Sequence, residues 1–401
     1  GFLSAAAATG AAVVFPTIIP SSALGKDGAI APSERIVLGA IGIGNRGSYV
    51  LGCFMEEKDV QFVAICDVKE GRRRAVKQRA DSKYGNQDCA MYRDLRDLLA
   101  RQDIDAVLIA TGPNWHALAS ITAARAGKDV YCEKPCTKNI AQSLILAETF
   151  RRTCRVFQVG TQRRSLPNFG FAVDLARRGK LGPLQTLHAH PGGLGTATSG
   201  WAPAEEAPAP DVADWDLYLG PAAWRPFNQG ILNNGFGFEK GGGLVGGGCL
   251  EWGSHCVDLC QWANDADTTS AIEYEPQGNR LHARYANGVE LVLRNDGWLG
   301  LGSCPVRFEG ETGWVETGDD ADIVTSSPDL LVGRRGKIRG YPANFHVRDF
   351  LDCVKTRGQT RANADAACNS HITCHAANIA LFLQRKVVYD PVKHEFINDE
   401  Q

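Results

Sequence analysis

The sequence predicts an α/β protein with two domains. The first is an N-terminal, Rossmann-type doubly wound parallel sheet, and the second is a C-terminal α/β domain with a large, mostly antiparallel open sheet. Three observations support this fold class. Apolar strand-like runs alternate with helical segments over residues 35–160, a glycine-rich turn follows the first run, and longer loops with alternating strands come afterwards. In the second half, the Asn287-Gly288 pair within residues 280–294 is typical of a β-hairpin, which favours an antiparallel sheet there.

The elements of the first domain follow one another along the chain. Short apolar runs predict parallel strands at 35–41, 60–66, 105–110, 129–132 and 155–160. Helices are predicted from Glu70, near Leu95–Leu99, and at 115–127 and 138–152. In the second half, residues 249–262 and 344–385 are predicted to be helical. This order predicts a dinucleotide-binding domain at 31–155 and a substrate and oligomerisation domain at 156–401.

The composition is that of an ordinary globular protein of 401 residues, of which 44% are hydrophobic and 22% charged. Its 43 basic and 45 acidic residues give a net charge of −2, so no basic excess is available for phosphates and we expect no nucleic-acid partner. The 13 cysteines include no C-x-x-C motif, and most are predicted to be buried thiols, with disulfides left open if the protein is exported. No metal site is expected, because the histidines and cysteines follow no zinc-binding spacing.

Residues 1–30 are predicted to be the remnant of an export signal. Up to residue 25 the segment carries no charged side chain; it opens with Phe2-Leu3 and continues as a weakly apolar, Ala-rich run. These features resemble the end of a twin-arginine signal, whose two arginines would precede Gly1. Two prolines interrupt the run, which argues against a membrane anchor. We therefore expect a periplasmic or secreted protein without a membrane span in its mature form.

A dinucleotide-binding fingerprint, G-x-G-x-x-G, occupies residues 42–47 directly after the first predicted strand. In this context the first glycine permits a tight turn, the second lets the backbone approach a pyrophosphate, and the third allows the following helix to pack on the strand. The start of that helix offers unpaired amides and a positive dipole end to the phosphates. The residues assigned to cofactor binding here are Gly42, Gly44, Asn45, Arg46 and Gly47.

Asp67 ends the second predicted strand, where an acidic side chain hydrogen-bonds the adenosine ribose hydroxyls. Because a carboxylate there repels a 2′-phosphate, NAD is favoured over NADP. Arg72, Arg73 and Arg74 follow closely and soften that preference, so NADP stays an alternative.

Four local matches make the sequence similar to one known family. They are G-x-G-x-x-G at 42–47, A-T-x-x-x-W-H at 110–116, E-K-P at 133–135, and Gly246-Gly247-Gly248 leading to His255 and Asp258. Together they resemble the glucose–fructose oxidoreductase / inositol dehydrogenase / MocA-like (Gfo/Idh/MocA) family of oxidoreductases, from about residue 35 to the C-terminus. Residues 158–164 and 215–221 also resemble its secreted, twin-arginine branch.

The resemblance implies the residues of an active site. The family's lysine in E-K-P corresponds to Lys134, which implies a role beside both the nicotinamide and a substrate hydroxyl. Further cofactor contacts are expected for Thr111, Trp115, His116, Glu133, Lys134 and Gln162, and substrate contacts for Arg163, Asp258 and Trp252. Candidates for a stacking platform under a sugar ring are Trp201, Trp215, Trp224 and Trp252. The glycine run at 241–248 is predicted to form a mobile loop near the site.

Within the predicted helix at 249–262, Glu251, His255 and Asp258 recur on one stripe. A histidine is suited to shuttle a proton near neutral pH, and a carboxylate one turn away orients it and stabilises its cation. The resemblance is to a D-x-x-x-H pattern, in which Glu251 stands where the family has Asp. We therefore predict Lys134, His255 and Glu251 as the catalytic residues.

Three functions stay open on the sequence alone. The first is an NAD(P)-dependent oxidoreductase acting on a secondary hydroxyl of a sugar, polyol or glycoside. The second, suggested by a resemblance to glycoside hydrolase family 109, is a redox-neutral hydrolase in which tightly bound NAD returns unchanged. Export favours this second function, because an exported enzyme has no free nicotinamide pool. The third is a non-catalytic sugar or nucleotide sensor, for which Glu251 in place of Asp is the main argument. The resemblance also implies a homodimer or homotetramer.

Overall fold

The computed structural model describes residues 30–194, 202–238, 249–295, 300–320, 322–334 and 340–399, with the side chains of 234–238 left out. By its internal contacts the chain divides into a unit that ends at Arg35 and a unit that starts at Ile36. In the first unit, the described residues contain a short 3-10 turn at Pro32–Glu34. The export segment predicted at 1–30 lies outside the described residues apart from Ile30 and stays a prediction. No helix in the described ranges is long and apolar enough to cross a membrane.

The first half of the chain folds into strands that alternate with helices. Its strands are β1 (Ile36–Ile41), β2 (Val60–Cys66), β3 (Ala90–Tyr92), β4 (Ala106–Ile109), β5 (Asp129–Cys132) and β6 (Phe157–Val159). Its helices are α1 (Asn45–Glu56), α2 (Glu70–Tyr84), α3 (Leu95–Leu99), α4 (Pro113–Arg125) and α5 (Ile140–Thr153). These strands pair in parallel in the order β3-β2-β1-β4-β5-β6, which confirms the predicted doubly wound Rossmann sheet.

The strands of this sheet are apolar because helices cover both of its faces. Strands β4 and β5 are buried along their whole length. Strand β3 escaped prediction, because its three residues are only partly buried and form the edge of the sheet. The carboxyl ends of parallel strands meet at one edge, so the glycine turn after β1, Asp67 after β2 and Glu133 after β5 all lie there.

The second half of the chain builds a mixed sheet with helices on one side. Its first elements are α6 (Pro167–Arg177), β7 (Leu184–Ala189), α7 (Trp215–Leu219), α8 (Gln229–Phe238) and α9 (Leu250–Ala263). The strands that follow are β8 (Glu273–Gln277), β9 (Arg280–Arg284), β10 (Glu290–Arg294), β11 (Val306–Gly310), β12 (Trp314–Thr317) and β13 (Val324–Thr325). The last are α10 (Asn344–Thr356), α11 (Ala364–Leu383), β14 (Val387–Asp390) and β15 (Glu395–Phe396).

The strands described in this half pair in the order β13-β12-β11-β7-β10-β9-β8-β14-β15. Neighbours are antiparallel except β7 and β10, which run parallel, so the mostly antiparallel second sheet is confirmed. Strands β9 and β10 form the hairpin predicted at Asn287-Gly288, where Gly288 has φ +88°. Helices α6, α9 and α11 pack with this sheet around one hydrophobic core.

The predicted helix at 344–385 is two helices. Arg357 adopts the left-handed conformation (φ +56°) and ends α10. Helix α11 then starts at Ala364 and is capped by Asn363, whose side chain accepts hydrogen bonds from the amides of Asp365 and Ala366. The helical prediction is therefore confirmed for both parts of 344–385 and is wrong only for the break at 357–363.

The two halves are not separated cleanly along the chain. Strand β6 belongs to the parallel sheet, so the domain boundary predicted after residue 155 falls one strand too early. Helix α10 returns to the first sheet, where Val347, Phe350 and Leu351 are buried with apolar residues of β1 and α1. Because α10 comes late in the sequence but packs against the first sheet, a single boundary along the chain cannot separate the two domains.

All 13 cysteines lie within the described residues, and all are free thiols. Eleven of them are buried, which confirms the prediction of buried structural thiols. Burial raises the pKa of the Cys256 thiol well above its ordinary value, so this thiol stays protonated at neutral pH.

Candidate active site

A cavity of about 520 Å³ opens at the carboxyl edge of the parallel sheet. Its walls come from the glycine turn, the ends of β2, β4 and β5, helix α9, and the segment between Leu217 and Asn233. Because β1 and β4 lie between β2 and β5, Asp67 and Lys134 mark opposite ends, roughly 14 Å apart at the usual strand spacing. The cavity therefore joins the residues predicted for nucleotide binding to those predicted for catalysis.

The glycine turn allows an unusually close approach of the backbone to the cavity. Gly42 has φ +70°, and a Cβ there would lie 2.3 Å from the Cγ2 of Thr111, so only glycine fits. A Cβ at Gly47 would lie 2.8 Å from the side chain that follows β4. At Gly44 a Cβ would meet only the tip of Arg72, at 3.6 Å, so the missing side chain keeps the backbone open toward the cavity. Helix α1 begins there without a side-chain cap, and its first amides are available to an anion.

Asp67 is buried at the end of β2. Its carboxylate accepts hydrogen bonds from the amides of Ile43 at 3.0 Å and Lys69 at 2.9 Å. Burial raises the pKa of Asp67, whereas these amides and the nearby Arg72 oppose the rise. Arg72 also donates to the Ile43 carbonyl at 3.0 Å. This end of the cavity thus combines the anchored Asp67 carboxylate with cationic side chains that include Lys69 and Arg72.

Lys134 and Glu251 form an ion pair across the other end of the cavity. The Lys134 Nζ atom lies 3.0 Å from Glu251 Oε1 and donates to the Glu251 carbonyl at 2.9 Å. The ammonium also lies 5.3 Å from the centroid of the Trp252 ring. These contacts join the end of β5 to α9 and hold the Lys134 ammonium at the cavity wall.

Glu133 is clamped beside this pair. Gln162 Nε2 donates to its carboxylate at 3.0 Å, and Arg46 Nε lies 3.4 Å from the same oxygen. A Cβ at Gly160 would lie 2.7 Å from that carboxylate, which explains the glycine at this position. The structure thus brings together three side chains predicted to contact the cofactor: Arg46, Glu133 and Gln162.

His255 lies on the cavity wall and is only 4% exposed. Burial, with the positive charges of Arg163 and Lys134, holds the pKa of His255 well below its ordinary value of 6.5, so the imidazole is neutral at neutral pH. Its Nδ1 atom is buried and has no hydrogen-bond partner among the described residues. The structure corrects the expectation that Glu251 orients this histidine, because the longer Glu side chain reaches the Lys134 ammonium instead.

Buried histidines hold the turn that carries Lys134. Burial lowers the pKa of His116 to about 4, and its Nδ1 lies 2.7 Å from the Pro135 carbonyl. Its Nε2 lies 3.1 Å from the Thr111 carbonyl, and the single N–H of the neutral ring donates to one of these two carbonyls. From α11, His371 Nε2 accepts from the amide of Cys136 at 3.1 Å. His116 lines the cavity, as its predicted cofactor contact requires, and it also fixes the turn.

Asp258 does not line the cavity, which corrects its assignment as a substrate contact. Its carboxylate accepts from Arg164 Nε at 2.7 Å and Arg164 Nη2 at 2.9 Å. Asp267 binds the same guanidinium at 2.7 Å. The Asp258 and Arg164 side chains are each 1% exposed, and a guanidinium buried this deeply needs a carboxylate partner. Asp258 is therefore the structural partner of Arg164.

Arg163 lines the cavity, but its guanidinium already has a partner. Its Nε donates to Asp319 at 3.0 Å, and the group lies 4.6 Å from the Tyr341 ring centroid and 5.8 Å from that of Trp252. Sequence analysis missed Asp319 and Tyr341, which lie in loops after β12 and before α10 where no motif marks them. The only available signal is Arg163 itself, since an arginine in a buried segment implies a distant acidic partner.

The remaining predicted positions fall into three groups. Thr111 and Trp115 line the cavity after β4. Trp215 is buried outside the cavity lining, and Trp224 is 74% exposed. Trp201 and the glycine run at 241–248 lie outside the described residues. In the described part of the chain, no group of three side chains is arranged to hold a metal ion.

Two family models match the chain. One, described as an oxidoreductase family with an NAD-binding Rossmann fold, matches residues 36–161. The other, described as the C-terminal α/β domain of that oxidoreductase family, matches residues 196–401. Together they cover both halves of the fold described above.

Individual curated proteins match only part of this chain. A glycosyl hydrolase family 109 protein of Shewanella sp. MR-4 is 32% identical over 182 residues, which cover 42% of this chain and 38% of that protein. Myo-inositol 2-dehydrogenase of Thermotoga maritima is 30% identical over 150 residues, covering 37% of this chain and 43% of that enzyme. The chain thus spans less than half the length of each. The crystal structure of myo-inositol 2-dehydrogenase from Lactobacillus plantarum matches 89% of this chain and 100% of its own with a TM-score of 0.63 and 17% identity, which shows a shared fold.

Proposed function

The chain belongs to the Gfo/Idh/MocA oxidoreductase family, and from this premise we propose that it is an NAD-dependent oxidoreductase acting on a secondary hydroxyl of a sugar, polyol or glycoside. One observation carries the proposal. A single cavity joins the glycine turn and Asp67 at one end to Lys134, Glu251 and His255 at the other. Such a site can hold a dinucleotide along the sheet edge and a hydroxyl at the far end.

The cavity walls fit a nicotinamide dinucleotide. The open backbone at Gly44 and the uncapped start of α1 suit a pyrophosphate. Asp67 would receive the adenosine ribose, and Thr111 and Glu133 would flank the nicotinamide half. When bound, the nicotinamide supplies the hydride acceptor or donor.

His255 is the group that takes the hydroxyl proton in this proposal. Its imidazole lines the cavity and is neutral at neutral pH, so it can accept a hydrogen bond or a proton there. The Lys134 ammonium, held by Glu251, donates a hydrogen bond to the same hydroxyl oxygen and stabilises negative charge that develops there. Glu251 therefore acts by positioning Lys134.

The charge balance of this end favours a neutral substrate. Each cation named at the wall has its own carboxylate: Lys134 has Glu251, Arg163 has Asp319 and Arg46 has Glu133. An anionic substrate would have to break one of these pairs, whereas a hydroxylated ring can bind without doing so. The aromatic ring of Trp252 adds a face on which such a ring can stack.

The adenosine end favours NAD. A 2′-phosphate beside the Asp67 carboxylate would be repelled, and that carboxylate is held in place by two amides. Lys69 and Arg72 line the same wall and reduce the discrimination. We therefore expect preference for NAD with measurable binding of NADP.

A second candidate is a redox-neutral glycosidase that oxidises and re-reduces the same sugar. It is favoured by curated relatives named as glycosyl hydrolase family 109 proteins and by a Shewanella oneidensis relative named alpha-N-acetylgalactosaminidase, 31% identical over 173 residues. The same cavity residues would serve this reaction.

One experiment separates the two candidates. The purified protein is loaded with NAD and offered a panel of sugars, polyols and nitrophenyl glycosides, while NADH absorbance and nitrophenol release are recorded together. Net NADH formation supports the oxidoreductase. Nitrophenol release without net NADH supports the glycosidase. Failure of the protein to bind either dinucleotide at millimolar concentration would contradict both.

A further inference from the structure

A folded segment that neither the glycine fingerprint nor the E-K-P motif includes forms the outer wall of the cavity. We call residues 211–233 the strap; it contains α7 and the start of α8. The strap has its own small core, made of Ala213, Trp215, Leu219, Phe227, Ile231 and Leu232. Trp215 Nε1 donates to the Arg225 carbonyl at 2.8 Å, and Tyr218 Oη donates to the Ile231 carbonyl at 2.9 Å. The strap is therefore an ordered unit.

At the adenosine end, the strap is hydrogen-bonded to the chain that follows β2. The Glu70 amide donates to the Val212 carbonyl at 2.9 Å, and the Asp214 amide donates to the Val68 carbonyl at 3.2 Å. The buried Arg73 guanidinium donates both to the Asp67 carbonyl at 2.6 Å and to the carbonyl of strap residue 211 at 2.9 Å. The strand end that carries the ribose-binding carboxylate is thus tied directly to the strap.

A second attachment lies at the start of α4. Asn114 Nδ2 donates to the Tyr218 carbonyl at 3.0 Å and to the Leu219 carbonyl at 2.8 Å. Trp115 Nε1 donates to the Leu217 carbonyl at 2.7 Å. The strap approaches so closely that a Cβ at Gly220 would lie 2.2 Å from the Trp115 ring. The strap is therefore held on both sides of the glycine turn.

Between the two attachments, the inner face of the strap lines the cavity. Leu217, Tyr218, Leu232 and Asn233 all contribute to the wall. The Lys69 ammonium lies 5.7 Å from the Tyr218 ring centroid and donates to the Leu232 carbonyl. A dinucleotide lying along the sheet edge would be enclosed by the sheet on one side and by the strap on the other.

We propose that the strap is the retaining wall of the dinucleotide site, and that release of the cofactor requires the strap to detach from the chain after β2 or from α4. This inference rests on the proposed function, because it assumes that the cavity binds NAD. It adds that the cofactor leaves the site only as fast as the strap detaches. Retention is set by the stability of the strap, since dissociation proceeds through the small population with the strap detached.

The test measures the dissociation rate of bound NADH. Full-length protein loaded with NADH is mixed with excess NAD, and the loss of bound-NADH fluorescence gives the rate. Trp215→Ala removes the centre of the strap core without touching the cavity. We expect it to raise the dissociation rate about tenfold or more. Trp224→Ala is the matched control, since it is the same substitution in the same segment at a residue that is 74% exposed. It should leave the rate unchanged.

A milder variant guards against a general loss of folding. Trp115→Phe keeps an aromatic ring but removes the N–H that holds the Leu217 carbonyl, and it should also raise the rate. Bound NADH should slow proteolytic cleavage within 211–233 in the wild-type protein. Equal dissociation rates in the wild type, Trp215→Ala and Trp115→Phe would overturn the strap proposal while NADH binding stays intact. An absence of NADH binding in the wild type would instead overturn the proposed function.

Discussion

The two ends of the cavity are built in different ways. The dinucleotide end is made largely of backbone: six consecutive residues after β1, with Asp67 bonded to two amides. The other end, where we propose that the substrate proton is transferred, is made of side chains that meet across the fold. Lys134 and Glu251, for example, lie 117 positions apart in the sequence. A site formed by backbone can be recognised from short sequence patterns, whereas a site formed by side chains depends on which distant residues the fold brings together.

The substitution with the largest expected effect removes the ammonium from the proton-handling end. Lys134→Met should lower kcat by about 10²–10⁴-fold, because the developing oxyanion loses its charged donor. NADH affinity should change far less, because the other end of the cavity is intact. Steady-state kinetics with NADH titrations check both, with Lys180→Met at an exposed position as the control. A loss of NADH affinity as large as the loss of kcat would show that the two ends are not separate.

Asp258→Asn tests whether Asp258 is a structural partner of Arg164, unlike Glu251 and His255 of the same helix, which line the cavity. Breaking the buried Asp258–Arg164 pair should cost about 1.5–3 kcal/mol of unfolding free energy, because the guanidinium loses one of its two carboxylates and keeps only Asp267. Denaturant unfolding measures this, and the exposed Asp174→Asn, which breaks a surface pair with Arg178, should cost less than about 1 kcal/mol. A raised KM with an unchanged unfolding free energy would restore Asp258 as a substrate contact.

His255→Gln sharpens the assignment of the proton acceptor. It should lower kcat about 10²-fold, because a general base is lost. The pKa of His255 is held well below 6.5, so wild-type kcat/KM should stay flat through neutral pH and fall only in more acidic buffer, as the imidazole becomes protonated. That acidic limb should disappear in His255→Gln and persist in the exposed His394→Gln. An acidic limb that survives in His255→Gln would assign the base to another group.

The smallest effect is expected outside the cavity, at Asp59. Hydrogen bonds from Arg348 and Lys355 of α10 outweigh the opposing effect of burial and lower the pKa of Asp59 from 3.8 to about 2. A carboxyl whose folded pKa is depressed stabilises the protein above about pH 4 and loses that contribution as pH falls toward 2. Asp59→Asn should therefore lower the unfolding free energy by about 1–2 kcal/mol at neutral pH and by little at pH near 2. Kinetic constants should not change. A stability loss of the same size at both pH values would contradict the ion-pair explanation.

The sequence predicts the parallel sheet and the dinucleotide end well, because periodicity and glycine spacing are local properties. It also predicts that Lys134, Glu251 and His255 share one site. It does not predict how they pair, because only the fold brings the Glu251 side chain of α9 to Lys134, which follows β5. The assignment of Asp258 as a substrate contact fails for a related reason. Helical spacing places Asp258 on the same stripe as Glu251 and His255, but only the fold shows that its carboxylate binds Arg164 outside the cavity lining.

The strap, Asp319 and Tyr341 could not be predicted from the sequence for a different reason. Each acts through contacts to segments far away along the chain. Residues 215–221 resemble the secreted branch of the family, but that resemblance does not indicate a position over the β2 and β4 ends. Strand β3 and the break at Arg357 were missed because short edge strands and left-handed helix ends leave weak periodic signals.

The most direct test of the account is the structure of the protein with NAD bound. We predict the pyrophosphate at the start of α1, the adenosine ribose at Asp67, the nicotinamide at the Lys134 end, and the strap closed over the dinucleotide. A dinucleotide bound in the reverse direction, or outside the cavity, would contradict the assignment of Lys134 and His255 as the groups that handle the proton.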